Sequence, residues 1–176
     1  MAEATKQERF EHAVLPHVDA AYSLARWLTR NDYDAQDVTQ EACLRAFRFF
    51  EGYQGGNMRA WLLTIVRNSC YTWLQQNRRL DSAEEFDEEI HSDSVSDSAS
   101  PEVQILANAD KQTLQRALED LPAIFREAIV LREIEGMSYK EIADVASVSL
   151  GTVMSRLARA RTRLRQSLEA TLGKES

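Results

Sequence analysis

The apolar residues near the end of the chain recur at alternating steps of three and four. That spacing places them on one face of a single helix. The face consists of Leu150, Val153, Leu157, Ala160, Leu164 and Leu168. A shorter apolar run with Ile142 and Val145 precedes it, and a turn is predicted at Ala146-Ser147-Val148, with Ser149 capping the second helix. A short helix, a tight turn and a longer helix form the helix-turn-helix pattern, whose second helix presents its first residues to DNA base edges.

The other side of the second helix carries small polar residues and arginines. They are Thr152, Ser155, Arg159 and Thr162, with Arg156 and Arg163 on the flank. Any amphipathic surface helix has charges opposite its apolar stripe, so this pattern alone only weakly favours DNA binding. From Gly151 to Lys174, however, six basic residues stand against a single acid, Glu169. Together with the small residues at the helix start, this excess favours DNA binding over a solvated face.

The composition of the whole chain predicts an all-α fold. Its 176 residues include only six glycines and three prolines, and alternating β-branched runs are almost absent. The length fits one ordinary domain or two small ones. Cys43 and Cys70 are too far apart for a disulfide framework or a zinc site, so we expect buried free thiols in a reducing compartment. The histidines show no metal-ligand spacing, and we expect no metal or cofactor.

The first half of the chain predicts helices around an apolar core. The run from Phe10 to Thr29 is interrupted by Pro16, so it forms either two helices or one that begins at Pro16. A further helix is predicted from about Asp34 to Phe50. Its buried side is predicted to contain Val38, Ala42, Ala46, Phe49 and Phe50. The opposite side carries Asp37, Gln40, Glu41, Leu44 and Arg48. An exposed leucine among charges indicates a partner surface, although a solvated face remains the simpler alternative.

A glycine-rich loop from Glu51 to Met58 leads into another long helix, predicted from Arg59 to about Gln76. Its buried side is predicted to contain Leu62, Ile65, Val66, Ser69, Cys70 and Trp73. The remaining face mixes arginine, amide and aromatic side chains without an acid, and it includes Arg67, Asn68, Tyr71, Thr72, Gln75 and Arg78. Such a face suits a nucleic-acid backbone and unstacked bases. The alternative, aromatics in the core and arginines in water, fits Trp61 and Trp73 better than Tyr71.

An acidic segment divides the chain. Nine acids and no Lys or Arg occur between Asp81 and Glu102, and serines alternate with them. A segment of this composition cannot bury enough apolar surface to order itself, so it is predicted to be a flexible linker. We therefore expect a domain at 1–80, a linker at 81–100 and a second domain at 101–176. The nine acids exceed the net charge of −7, so the rest of the chain is slightly basic.

The second domain is predicted to contain further helices before the helix-turn-helix. One carries apolar residues from Val103 to Leu121, and another runs from Pro122 to about Glu135 and ends at Gly136. Ser138 and Glu141 have the spacing of a capping box at the start of the next helix.

Two sets of motifs carry a resemblance to a known family. The first set is DAQDVTQE at 34–41, LRAF at 44–47 and AWLLTIVRN at 60–68. The second is LPAIFREAIVLR at 121–132, GMSYKEIA at 136–143 and GTVMSRLARAR at 151–161. In this order the motifs resemble those of bacterial RNA polymerase sigma factors of the extracytoplasmic-function group, over about 10–79 and 101–168.

The resemblance implies roles that the residues alone do not establish. The polymerase clamp helices would bind the face with Asp34, Asp37, Gln40, Glu41 and Leu44. The −10 promoter element would be read and opened by Asn57, Arg67, Asn68, Tyr71 and Thr72. The −35 element would be read by Thr152, Ser155, Arg156, Arg159 and Arg163. Two positions depart from the family pattern. Met154 replaces a commonly basic residue, and Ser147 stands where the family usually has glycine, which is costly if the turn is left-handed.

The resemblance thus implies a transcription initiation factor rather than an enzyme. Its partners would be core RNA polymerase, promoter DNA and an anti-sigma factor. No signal-peptide core or membrane-length apolar stretch occurs in the sequence, so we expect a cytoplasmic protein without membrane insertion. Two alternatives remain: a sigma mimic that sequesters an anti-sigma factor, and a free-standing repressor. The repressor leaves the Asp37, Gln40 and Glu41 surface unexplained. The sequence contains no nucleophile–base set, which disfavours a hydrolase or transferase.

Overall fold

The computed structural model describes residues 2–77 and 110–174, and the regular elements in these ranges are helical. The α-helices are α1 (Lys6–Val14), α2 (Val18–Thr29), α3 (Asp32–Phe49), α4 (Met58–Gln76), α5 (Lys111–Glu119), α6 (Ala123–Ile129), α7 (Tyr139–Ala146) and α8 (Leu150–Lys174). The all-α prediction is confirmed. The predicted acidic linker lies outside the described residues, as do Arg78, Val103 and Leu106.

Helices α1 to α4 form the first half of the molecule. A 3₁₀ turn at Leu15–His17 contains Pro16 and separates α1 from α2, which confirms the two-helix alternative. Helices α2, α3 and α4 pack against one another. Their shared core includes Leu24, Leu28, Val38, Leu62 and Val66, all nearly or fully inaccessible to solvent. This core fixes which faces of α3 and α4 point away from it.

One predicted core position, Phe49 at the end of α3, is wrong. Phe49 is 59% exposed, whereas Phe50 is half-buried with its ring edge-on to Phe10, at a centroid distance of 5.4 Å. The buried row advances in steps of four from Ala42 to Ala46, and the next step reaches Phe50 rather than Phe49. Cys43 is only half-buried, while Cys70 is fully buried as expected.

Helices α5 to α8 form the second half, in which α5, α6 and α7 all pack on α8. A π-helical turn at Val130–Ile134 prolongs α6, and Gly136 ends it with φ +65°. The predicted capping box is confirmed, because the Ser138 side chain accepts from the Glu141 N–H while Glu141 accepts from the Ser138 N–H. The predicted apolar face of α8 is buried from Val153 to Leu168. Leu150 is the exception at 49% exposed, because it is the first residue of the helix and lies beyond the packed turns.

The two halves pack directly against each other. Helix α4 contacts α7, and α2 contacts α6. The main-chain oxygen of Leu28 accepts a hydrogen bond from Arg126 at 3.3 Å, and the main-chain oxygen of Glu119 accepts one from Arg30 at 3.2 Å. The face of α4 that points away from the first core is therefore the face that meets the second half.

Candidate nucleic-acid and polymerase interfaces

The turn between α7 and α8 has the geometry that a helix-turn-helix needs. Ser147 is left-handed, with φ 57° and ψ 45°. The Val148 N–H donates to the Ala143 oxygen at 3.1 Å, and the Ser147 N–H donates to the Asp144 oxygen at 3.4 Å. This is the paired hydrogen bonding of a Schellman motif, which satisfies the last carbonyls of α7. The turn is therefore left-handed at Ser147, and this serine occupies a backbone conformation that glycine adopts at lower cost.

The first turn of α8 presents small polar and apolar side chains. Ser149 caps the helix, as predicted, because its Oγ accepts from the Thr152 N–H at 3.1 Å. The Oγ atoms of Ser149 and Thr152 are 2.9 Å apart. Leu150 and Met154 are exposed at the same end. The predicted readers Thr152 and Ser155 therefore share the helix start with two apolar side chains.

The predicted DNA-reading arginines of α8 are partly covered. Arg156 is only 9% exposed, and it lies close enough to Tyr71 for its charge to act on the phenol. The Arg163 guanidinium lies over the ring of buried Phe125, 5.1 Å from its centroid. Arg159 is half-buried. In this arrangement the three arginines are not displayed together as an open basic stripe.

The predicted polymerase-binding face of α3 is open to solvent. Asp37, Gln40 and Glu41 are exposed, and Leu44 is 62% exposed beside them. Asp34 is half-buried in the first turn of the helix, where its N–H donates to the Asn31 side chain at 3.1 Å. The structure thus brings two carboxylates, an amide and an uncovered leucine together on one surface.

The predicted DNA face of α4 is divided between solvent and the second half. Asn68 and Thr72 are exposed. In contrast, Nε of Arg67 donates to Oε1 of Glu127 at 2.6 Å, and the Tyr71 hydroxyl donates to Oε2 of the same carboxylate at 2.9 Å. The Arg67 guanidinium stacks on the Tyr71 ring at 4.3 Å. Both predicted DNA contacts are therefore engaged with Glu127.

Asn57 has two roles in the structure. Its Oδ1 accepts from the Ala60 N–H at 3.1 Å and so caps α4, while its Nδ2 donates to Glu141 at 2.8 Å. Glu141 also accepts from Arg59, whose guanidinium reaches the main-chain oxygen of Glu135 as well. The start of α4 is thereby tied to the start of α7.

Burial governs the ionisation of the groups around Glu127. Burial, reinforced by the Glu127 charge, raises the pKa of Tyr71 well above its usual value. The same two causes raise the pKa of Cys70 to about 12. For Arg67, burial opposes the charged form, but the attraction of Glu127 outweighs it and the pKa is raised. At neutral pH this cluster consists of an ion pair, a neutral phenol and a neutral thiol.

Sequence reasoning missed Glu127 entirely. Glu127 is 1% exposed and lies in a helix whose residues from Phe125 to Ile129 are all buried. An acid inside the apolar run from Ile124 to Leu131 was the available signal, because a buried carboxylate needs a charged or hydrogen-bonding partner. The pattern does not reveal that this partner is Arg67.

No helix in ranges 2–77 and 110–174 is long and apolar enough to cross a membrane.

Both halves match known family models and relatives. Residues 13–80 match the model for sigma-70 region 2, and residues 111–164 match that for sigma-70 region 4. The ECF RNA polymerase sigma factor SigE of Mycolicibacterium smegmatis is 38% identical, over 90% of this chain but only 61% of its own length. The ECF RNA polymerase sigma-E factor of Haemophilus influenzae is 32% identical, over 83% of this chain and 79% of its own. The RNA polymerase sigma-H factor of Pseudomonas aeruginosa is also 32% identical, over 93% of this chain and 88% of its own length.

Two solved structures share the fold. One is the sigma factor RpoE of Bartonella quintana in complex with the anti-sigma factor NepR, with a TM-score of 0.68 and 28% identity over 92% of this chain and 97% of that chain. The other is CnrH in complex with the cytosolic domain of CnrY, with a TM-score of 0.56 over 97% of this chain and 91% of that chain. Its identity of 24% supports the fold alone.

Proposed function

The chain belongs to the ECF group of RNA polymerase sigma factors, and we propose that it is a non-enzymatic transcription initiation factor acting in the cytoplasm. It binds core RNA polymerase, directs it to promoters through the −10 and −35 elements, and assists strand separation. Residues 1–80 bind the polymerase clamp helices and the −10 element. Residues 101–176 bind the −35 element. Residues 81–100 join the two parts.

The observation that carries this proposal is the presence, in one chain, of an open α3 face and a correctly formed helix-turn-helix. Leu44 is exposed beside Asp37, Gln40 and Glu41, as expected for a protein-binding surface. A repressor needs only the helix-turn-helix and leaves this surface without a role. A net charge of −7 also fits a protein that binds DNA only when it is in complex with polymerase.

The family resemblance implies the DNA roles, and the chemistry of the two helices suits them. The start of α8 enters the major groove of the −35 element, where Thr152, Ser155 and Arg159 contact bases and phosphates. Arg156 and Arg163 support this contact from the flank once the halves separate. On the −10 side, Asn57 and the α4 face with Arg67, Asn68, Tyr71 and Thr72 capture bases that leave the duplex, by stacking and by phosphate contacts.

Run-off transcription with core polymerase and a promoter library tests the function. The wild-type protein is expected to stimulate specific transcripts. Arg159→Ala should reduce them by about tenfold, as for one lost charged DNA contact, while binding to core polymerase stays unchanged. Arg165→Ala is the matched control, because Arg165 lies further along α8 beside Glu169 and outside the proposed contacts. No stimulation at any promoter would leave the sigma mimic or the free-standing repressor.

We further propose that an anti-sigma factor holds this protein inactive. The support is the likeness to RpoE, which was solved in complex with the anti-sigma factor NepR. Such a partner should bind the purified chain and suppress its run-off transcription. A protein isolated from unstressed cells as a lone, fully active monomer would contradict this proposal.

A further inference from the structure

Two large apolar side chains are exposed at the start of α8. Leu150 is 49% exposed and Met154 is 41% exposed, whereas the apolar face of the same helix from Val153 to Leu168 is buried. Residues four apart lie one above the other on a helix, so Leu150 and Met154 together form one apolar patch. We call this patch the apolar flank. An exposed apolar patch beside polar residues indicates a surface that a partner covers.

The residues next to the apolar flank are small and uncharged. The first six residues of α8, Leu150 to Ser155, include no charged side chain. At helical spacing, Gly151 and Ser155 lie between the apolar flank and Thr152 around the exposed side of the helix. No bulky side chain therefore separates the apolar flank from the Thr152 hydroxyl. The apolar flank is continuous with the polar residues that are proposed to contact DNA bases.

The arginines on the same side of α8 as Met154 are paired with acids. Helical spacing places Arg161 and Arg165 on this side, two and three turns after Met154. The Arg161 guanidinium donates to Glu133 at 3.1 Å, and Nε of Arg165 lies 4.0 Å from a carboxylate oxygen of Glu169. At the helix start, this side therefore contacts a partner through apolar atoms rather than through an arginine.

The major groove of DNA offers one apolar group to such a surface. Among the four bases, only thymine presents a methyl group there, whereas guanine presents two acceptors that arginine or lysine binds. Leucine and methionine side chains have no N–H or O–H donor, so they discriminate among base pairs by contact with that methyl group. Methionine is also unbranched and flexible, which allows its side chain to follow the shape of the groove.

We propose that Leu150 and Met154 are specificity-determining residues that recognise thymine in the −35 element through its methyl group. Thr152 and Ser155 contact the neighbouring base edges from the same turn of α8. This inference rests on the proposed function, because it assigns the apolar flank to the DNA that α8 reads. It makes thymine the preferred base at one or more positions of the site. Met154→Arg should transfer the preference at its position to guanine.

The test measures the contribution of the methyl group directly. Random duplex DNA is selected with the protein bound to core polymerase and, in parallel, with the full-length chain alone. The recovered site is then synthesised with deoxyuridine in place of each thymine in turn, which removes only the methyl group. At one or more positions this change should weaken binding by the wild-type protein about fourfold, the effect of losing one buried methyl group.

Variants of the apolar flank identify the residues that make the contact. Met154→Ala and Leu150→Ala should each bind the thymine and deoxyuridine sites equally at the position that the replaced side chain reads. Both positions are exposed, so helix content by circular dichroism and the midpoint of urea unfolding should be unchanged. Leu172→Ala is the matched control, because Leu172 is 44% exposed near the other end of the same helix. This control should retain the fourfold discrimination.

Three results would overturn the inference. The first is equal binding of thymine and deoxyuridine sites by the wild-type protein, or a recovered site without thymine. The second is discrimination that persists in the double variant Leu150→Ala/Met154→Ala, because another residue would then contact the methyl group. The third is a loss of binding in Met154→Ala that is equal for thymine and deoxyuridine, because the apolar flank would then contact polymerase or another protein.

Failure of the proposed function has a different signature, the absence of run-off transcription by the wild-type protein with core polymerase. Run-off activity without methyl discrimination removes only the inference. Methyl discrimination without run-off activity removes only the proposed function. If neither form of the protein selects any duplex, both are removed.

Discussion

Helices α3 and α4 lie side by side and each carries a polar face, but the two faces differ in their exposure to solvent. The α3 face with Asp37, Glu41 and Leu44 is exposed. The α4 face is divided, with Asn68 exposed and Arg67 held by Glu127. Both helices turn their apolar sides to the same core. The difference shows that the amphipathic pattern of a helix determines which face points away from the core. Whether that face is exposed to solvent depends on a segment that is distant in sequence.

The largest expected effect concerns the covered face. Arg67→Ala leaves the Glu127 carboxylate buried without its ionic partner, which costs about 3–5 kcal/mol. Asn68→Ala removes an exposed side chain from the same helix and should change stability by less than about 0.5 kcal/mol. Urea unfolding measures both. Equal stabilities for the two variants would mean that Glu127 does not depend on Arg67.

A smaller effect is expected on the open face. Glu41→Arg reverses a charge at the proposed polymerase surface and should weaken binding to core polymerase by about 2 kcal/mol, or roughly thirtyfold. Its stability should hardly change, because the ion pair of Glu41 with Arg45 is exposed. Glu11→Arg on α1 is the control for charge reversal at an exposed acid. Equal polymerase binding by both variants would place the polymerase surface elsewhere.

The two cysteines, one on each helix, give an effect that is absent at neutral pH and develops only at alkaline pH. Cys70 on α4 has a pKa of about 12 against an ordinary value of 9.0, so its stabilising contribution is complete below pH 9 and is lost as the pH rises toward 12. One such proton changes the free energy of unfolding by at most about 1.4 kcal/mol per pH unit. Cys70→Ala should flatten the alkaline fall in stability, measured by urea unfolding from pH 9 upward. Cys43→Ala on α3 should flatten it less, because Cys43 is only half-buried. Identical slopes for the two variants would contradict the difference in burial.

Several features of the structure were predictable because they depend on neighbouring residues. The capping box at Ser138 and Glu141 and the Ser149 cap both involve groups within a few positions of one another. The exposure of Leu44 also follows from helical spacing along α3. These local features, with the order of the motifs, were sufficient for the all-α fold and for the resemblance to ECF sigma factors.

The errors occur where packing overrides spacing. Phe49 and Phe50 were both predicted to lie in the core, but the buried row from Ala46 continues only through Phe50, which packs on Phe10, and Phe49 is exposed. Leu150 continues the periodic stripe of α8 in sequence, yet it lies at the helix end where no element covers it. The helical period determines in which direction a side chain points. Whether that side chain is buried depends on whether a neighbouring element extends far enough to cover it.

The sequence by itself determined the helices, their caps and the two polar faces, since these arise from hydrogen bonds and periodicity within one or two turns. Only the tertiary structure decided that Arg67 and Tyr71 face Glu127, 60 and 56 positions away. It likewise decided that Arg156, on the flank of α8, is buried. The spacing of polar and apolar residues along a helix predicts which face is polar, but it does not predict which remote segment covers that face. The availability of the proposed DNA contacts is therefore a property of the packed molecule.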